Sequence, residues 1–80
     1  MRLDKFLKES RVIKRRTIAN EACDSGRISV NGRVVKASYS VSVNDEITIS
    51  FGNNETKIRV LSVQAPLKKE DAEKMFEYLQ

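Results

Sequence analysis

The sequence predicts an α+β domain in the order α-α-β-β-β-β-α, and three patterns carry that expectation. Apolar residues near the start recur at helical spacing, and the same period returns after Pro66. Between them lie short runs that alternate apolar and polar residues. Within those runs Asn31-Gly32 is the strongest hairpin signal, because both residues tolerate φ > 0.

Leu3, Phe6 and Leu7 share one helical face, with Asp4 placed to cap or begin the helix. Ser10 and Arg11 interrupt that face and Val12-Ile13 arrive out of phase, which favours two helices with a bend between them. The second helix is expected over about Arg15 to Asp24, with Ile18, Ala19, Ala22 and Cys23 as its buried stripe and Gly26 as its stop. Ile28 and Val30 precede the Asn31-Gly32 turn, and Arg33 to Val35 form the return strand. Val41 and Val43 alternate with polar residues, and Asn44-Asp45 marks a turn. Ile47, Ile49 and Phe51 alternate next. Gly52-Asn53-Asn54 turns the chain into Ile58, Val60, Leu61 and Val63. From Lys69 to Leu79 a last helix is expected, burying Ala72, Met75, Phe76 and Leu79, with Glu70, Asp71 and Glu73 in its first turn.

Composition narrows the functions. Eighty residues, 40% of them apolar, make one small folded domain with a core worth a few kcal/mol net. Cys23 is the single cysteine and there is no histidine, so no internal disulfide and no Cys/His metal site is expected. A lone thiol fits a reducing, cytoplasmic setting. Arg2, Asp4 and Lys5 break any secretory signal, and no run approaches the ~18 apolar residues of a membrane span. There is no nucleophile–base pair and no phosphate-binding glycine loop, so neither an enzyme nor a cofactor is expected.

Charge supplies the positive signal. Residues 1–36 hold ten of the fifteen basic residues and four of the eleven acids, a surplus of +6, while the remainder carries −2. Lys14-Arg15-Arg16-Thr17 falls at the expected start of the second helix, where cations oppose the helix dipole and so do not serve stability. Fork-shaped guanidinium groups beside free backbone N–H groups suit phosphate. Arg2, Arg11 and Arg27 add to this surface. Arg33 and Lys36 border the hairpin, either extending the basic face or guarding a strand edge. Asn31 reads first as a turn former, and Asp4 as a helix cap or as the partner that fixes a neighbouring arginine. Phe6, Phe51 and Phe76 fall on core faces, leaving Tyr39 and Tyr78 as surface rings. Few stacking platforms remain, which favours folded RNA read by shape and phosphate contact.

Arg2-Leu3-Asp4-Lys5-Phe6-Leu7, Arg11, Lys14-Arg15-Arg16-Thr17, Gly26 to Gly32 and Asn44-Asp45-Glu46-Ile47 together resemble the S-four RNA-binding domain, over about residues 1–50. The usual pattern has Ser where this chain has Arg15. The resemblance implies two helices packed on a small twisted antiparallel sheet, with residues 1–65 as the RNA-binding domain and 66–80 as an acidic C-terminal helix. As a short, stand-alone form the chain is similar to the RqcP-type ribosome-associated quality-control factors of bacteria. That likeness implies a non-enzymatic, monomeric factor on stalled large ribosomal subunits. It would contact large-subunit ribosomal RNA and peptidyl-tRNA, and assist alanine tailing of the nascent chain by a separate protein. Arg2, Arg11, Lys14, Arg15, Arg16, Thr17, Arg27 and Asn31 would form its RNA face, with Arg33 and Lys36 beside them and Asp4 ordering it. The alternatives are heat-shock-type recycling of blocked large subunits, or a detached RNA-targeting domain of an RNA-modifying enzyme.

Overall fold

The computed structural model describes residues 1–79. Helices α1 (Leu3–Glu9) and α2 (Arg16–Asp24) are followed by strands β1 (Ile28–Val30), β2 (Arg33–Val34), β3 (Glu46–Phe51) and β4 (Asn54–Val60). A 3-10 helix (Lys69–Met75) then leads into β5 (Phe76–Leu79). The strands form one antiparallel sheet in the order β2-β1-β3-β4-β5. This is the α+β architecture that the sequence predicts.

Sheet register explains the core. Ile28 pairs with Ile49 and Val30 with Ile47, which in turn pairs with Ile58, so alternate positions of three strands share one face. Those residues are buried with Leu3, Phe6 and Leu7 of α1 and with Ala19, Ala22 and Cys23 of α2. Each large apolar side chain so buried contributes about 1.5–3 kcal/mol against water.

The ends of the helices are closed by different means. At the start of α1, Leu3 and Asp4 donate their backbone N–H groups to the carbonyls of Tyr39 and Ala37 at 2.8 and 3.2 Å. Gly26, at φ +79°, ends α2 in a Schellman motif: its N–H reaches the Cys23 carbonyl at 3.1 Å and that of Arg27 the Ala22 carbonyl at 3.0 Å. Between the helices, Ser10 closes α1 with its N–H on the Phe6 carbonyl at 2.9 Å, and Arg11 leaves the helical path at φ +65°. The expected bend is therefore present.

Several expectations need correction. Ile18 is 46% exposed rather than buried. A helix of nine residues offers the core only the narrow stripe Ala19, Ala22 and Cys23, and Ile18, a third of a turn away, lines an outer hollow with Phe51. Phe51 is itself exposed. Val41 to Val43, which alternate in the sequence, lie outside any strand. That segment wraps the start of α1, with the Val41 N–H on the Met1 carbonyl at 2.9 Å and Val41 alone turned into the core. Leu61 to Val63 likewise lie beyond β4.

The expected helix through Leu79 ends at Met75. Buried Ala72 and Met75 are three residues apart, which suits a 3-10 turn as well as an α-helix. Phe76–Leu79 instead pair with Lys57–Val60, giving the exposed edge of β4 a backbone partner.

The Asn31-Gly32 turn forms as expected, with φ of +52° and +83°. A Cβ on Gly32 would meet nothing within 4 Å, so a substitution there is opposed by backbone conformation alone. Gly32→Val should cost roughly 1–3 kcal/mol. Gly32→Ala, also strained but not β-branched, should cost less. Thermal unfolding of both variants tests this, and a Gly32→Val protein melting with wild type would refute the turn's role.

Candidate nucleic-acid interface

The two helices meet at a buried carboxylate. Asp4, only 2% exposed, lies in the first turn of α1 and faces the first turn of α2. Arg2 grips it with two donors, Nε to Oδ1 at 3.1 Å and Nη2 to Oδ2 at 3.2 Å. The Arg16 Nε stands 3.6 Å from Oδ2 across the helix crossing. Asn20, one turn beyond Arg16, donates Nδ2 to the same oxygen at 3.2 Å, and the Lys5 backbone N–H completes the set at 2.8 Å. Asp4 thus pairs with both arginines and does not cap α1, whose first flanking residue is Arg2.

The geometry divides each arginine in two. One edge is held by a carboxylate that water hardly reaches, while both arginine side chains remain half exposed. Arg2 commits two of the five guanidinium N–H donors to Asp4, leaving three for an incoming phosphate oxygen. A fork held in place loses less entropy on binding than a free one. Beside it, Asp4, Arg16, Thr17, Asn20 and Glu21 line a shallow hollow of about 380 Å³.

Proton equilibria agree with this reading. Burial pushes the Asp4 carboxyl up, but Asn20, Arg2, the Lys5 N–H and the Arg16 charge together outweigh it and hold the group below its ordinary range. Burial, with Asp4 and Asp24 nearby, pushes the Cys23 thiol up to about 11, so it is neutral and unreactive at pH 7. The site is built to hold charge still.

The other predicted residues spread over the same side chains' neighbourhoods without converging on one pocket. Arg15 flanks the start of α2 with extended backbone and no side-chain cap, and Thr17 follows in the first turn. Arg11 and Lys14 line a separate cleft with Pro66 and Lys69. Arg27 borders the hollow shared by Ile18 and Phe51. Arg33 lies in β2, and Lys36 two residues beyond that strand; both are exposed. Asn31 is committed to the fold: its amide Nδ2 donates to Asp45 Oδ1 at 3.2 Å, and its Oδ1 accepts the Glu46 N–H at 3.0 Å. Tyr39 is half-buried rather than a free surface ring, and donates to Asp45 Oδ2 at 3.3 Å. Burial and then the Asp45 charge push that phenol up, so it remains a donor.

Two contributors escape a reading of the sequence. Asn20 shares a helical face with Arg16 by its spacing of four, a signal that was available. Asp45 reads as a turn residue, yet it is a buried acceptor for Asn31, Tyr39 and the Ser42 N–H, pinning the hairpin tip to the turn before β3. Among the described residues no cluster of His, Cys, Asp and Glu is arranged to hold a metal.

Comparison with known proteins places this geometry. The model of the S4 domain matches residues 1–47. A Streptococcus pneumoniae protein called RQC P-site tRNA stabilizing factor is 52% identical over 79 residues, spanning 99% of this chain and 90% of its own. A Bacillus subtilis protein of the same name is 51% identical over 79 residues, spanning 99% and 92%. Among solved structures, heat shock protein 15 of Vibrio cholerae, a trimer, superposes with a TM-score of 0.88 at 28% identity, over 99% of this chain and 81% of that one.

Proposed function

This chain belongs to the S4 domain family and, within it, to the group of RQC P-site tRNA stabilizing factors, and on that premise we propose that it is a non-enzymatic RNA-binding factor of ribosome-associated quality control. It binds stalled large ribosomal subunits, contacts large-subunit ribosomal RNA and the peptidyl-tRNA in the P site, and assists alanine tailing carried out by a separate protein. The observation that carries this reading is the buried Asp4 aiming Arg2 and Arg16 outward from the helix crossing. Arg11, Lys14, Arg15, Thr17, Arg27, Arg33 and Lys36, all exposed, extend the RNA face.

The RNA-binding unit is residues 1–65, to which the 3-10 helix (Lys69–Met75) and the edge strand β5 (Phe76–Leu79) are added. A factor that works on large ribosomal subunits acts in the cytoplasm. The acting form is a single copy. Recycling of blocked large subunits is the second reading, favoured by the fold shared with heat shock protein 15.

Sedimentation with purified large subunits tests the proposal. Wild type should co-sediment, with more retained when peptidyl-tRNA occupies the subunit. Arg16→Ala should bind about five- to eightfold more weakly at ~0.1 M salt, the loss of one phosphate contact, with its salt slope reduced by roughly 0.7–0.9. Equal retention of Arg16→Ala and wild type would remove Arg16 from the RNA face. A stable complex with a free RNA-modifying enzyme, and none with subunits, would favour the detached-domain alternative.

A further inference from the structure

We propose that the cleft between the end of α1 and the segment entering the 3-10 helix is a second RNA-backbone site, with Lys68 and Lys69 as its ligating residues on one wall facing Arg11 and Lys14 on the other; this rests on the RNA-binding reading above. The cleft has a volume of about 320 Å³. Five cationic side chains line it, from Lys8, Arg11, Lys14, Lys68 and Lys69, against a single carboxylate, Glu9. That carboxylate is already engaged by Lys8 at 3.7 Å. The other four cations form no ion pair with a described residue, and all four are exposed.

Stability does not account for this gathering. The C-terminal end of α1 favours one cation in its last turn, which Lys8 supplies. Bringing Lys68 and Lys69 from the far end of the chain to face Arg11 and Lys14 adds repulsion between like charges. Arg11 is in addition held at φ +65°, a costly backbone for a residue other than glycine, with its N–H on the Lys8 carbonyl at 3.0 Å. The 3-10 helix also sorts its charges. Lys69 faces the cleft, while Asp71 turns to Lys74 at 3.4 Å and lines a different hollow. Buried Ala72 keeps the floor small and uncharged.

Phosphodiester is the ligand this chemistry fits. No aromatic ring lines the cleft, so a base has nothing to stack on, whereas an anionic backbone meets cations from both walls. Lys14 is followed directly by Arg15 and Arg16, so one strand of RNA leaving the Asp4 clamp passes into the cleft along the same loop. An acidic protein segment would satisfy the charges but not that continuity.

The test compares Lys68→Ala/Lys69→Ala, Arg16→Ala and wild type, binding purified large subunits and the ribosomal RNA extracted from them. The double variant should bind both probes ~25- to 60-fold more weakly at 0.1 M salt, with a salt slope shallower by roughly 1.4–1.8. Its melting temperature should be no lower than that of wild type, and Lys68→Arg/Lys69→Arg should keep wild-type binding. Wild-type affinity and slope in the double variant, alongside weak Arg16→Ala, would overturn the cleft and leave the RNA-binding reading standing. Loss on intact subunits with none on extracted RNA would mean an acidic ribosomal protein fills the cleft, which also overturns the proposal. No binding by wild type would sink both readings together.

Discussion

Asp4→Arg should leave the protein largely unfolded at 25 °C. The position is 2% exposed and already faces Arg2 and Arg16, so the change puts a guanidinium in a buried position and removes the carboxylate with which both arginines pair. Placing an unpaired charge in that buried position, beside two charges of the same sign, costs about 3–5 kcal/mol, comparable with the whole stability of a domain this small. Asp4→Asn is the milder probe. Both oxygens of Asp4 accept hydrogen bonds, and an amide would turn an NH2 group toward Arg2, Asn20 or the Lys5 N–H. We expect it to fold with a loss of about 1–3 kcal/mol, and to bind RNA more weakly because both forks lose their anchor. The pH dependence has a definite sign. The Asp4 carboxyl titrates below its ordinary value of 3.8, so its stabilisation is fully present above that pH and is lost as pH falls through the lower folded value. The stability gap between wild type and Asp4→Asn, read from urea unfolding, should hold steady from pH 7 to about 4 and close below it. A gap unchanged into strong acid would contradict the charge-based account.

Arg2→Ala/Arg16→Ala should be worse than its two singles predict. Each arginine is half exposed, and a single ion pair at such exposure is worth about 0–1 kcal/mol. Remove one and Asp4 keeps the other. Remove both and a buried carboxylate is left with the Asn20 amide and one backbone N–H. The coupling should therefore appear as an extra loss of roughly 0.5–3 kcal/mol beyond the sum of the singles. Binding to large subunits should fall ~25- to 60-fold at 0.1 M salt, the loss of two phosphate contacts. Strict additivity in urea unfolding would show that the two arginines do not share Asp4.

Much of this was legible in the sequence, and the failures have physical causes. Leu3, Phe6 and Leu7, the Asn31-Gly32 turn and the alternating Ile47 and Ile49 follow local rules that the tertiary structure leaves intact. The pairing of Asp4 with Arg2 is a local contact, and the one with Arg16 follows once the helices lie side by side. What local pattern cannot supply is competition for backbone partners. Phe76–Leu79 read as helix because Ala72, Met75, Phe76 and Leu79 are helically spaced, yet the open edge of β4 offered hydrogen bonds that a helix end did not need. Ile18 failed because α2 has room for only one buried stripe. Burial of Asp4 was also invisible. On sequence alone Asp4→Asn reads as harmless to folding, and the five donors around the carboxylate reverse that view. Asp45 and Asn20 act through long-range geometry that spacing alone only hints at.

The central claim is that the Asp4-anchored arginines face RNA on a stalled large subunit. Photo-crosslinking of the wild-type protein to large subunits carrying peptidyl-tRNA, with both the protein and the RNA sites mapped, tests it most directly. The account predicts crosslinks from the Arg2, Arg16 and Thr17 region to large-subunit ribosomal RNA and to the tRNA. Crosslinks confined to β5 and the outer hollow around Phe51, with the helix crossing left untouched, would contradict it.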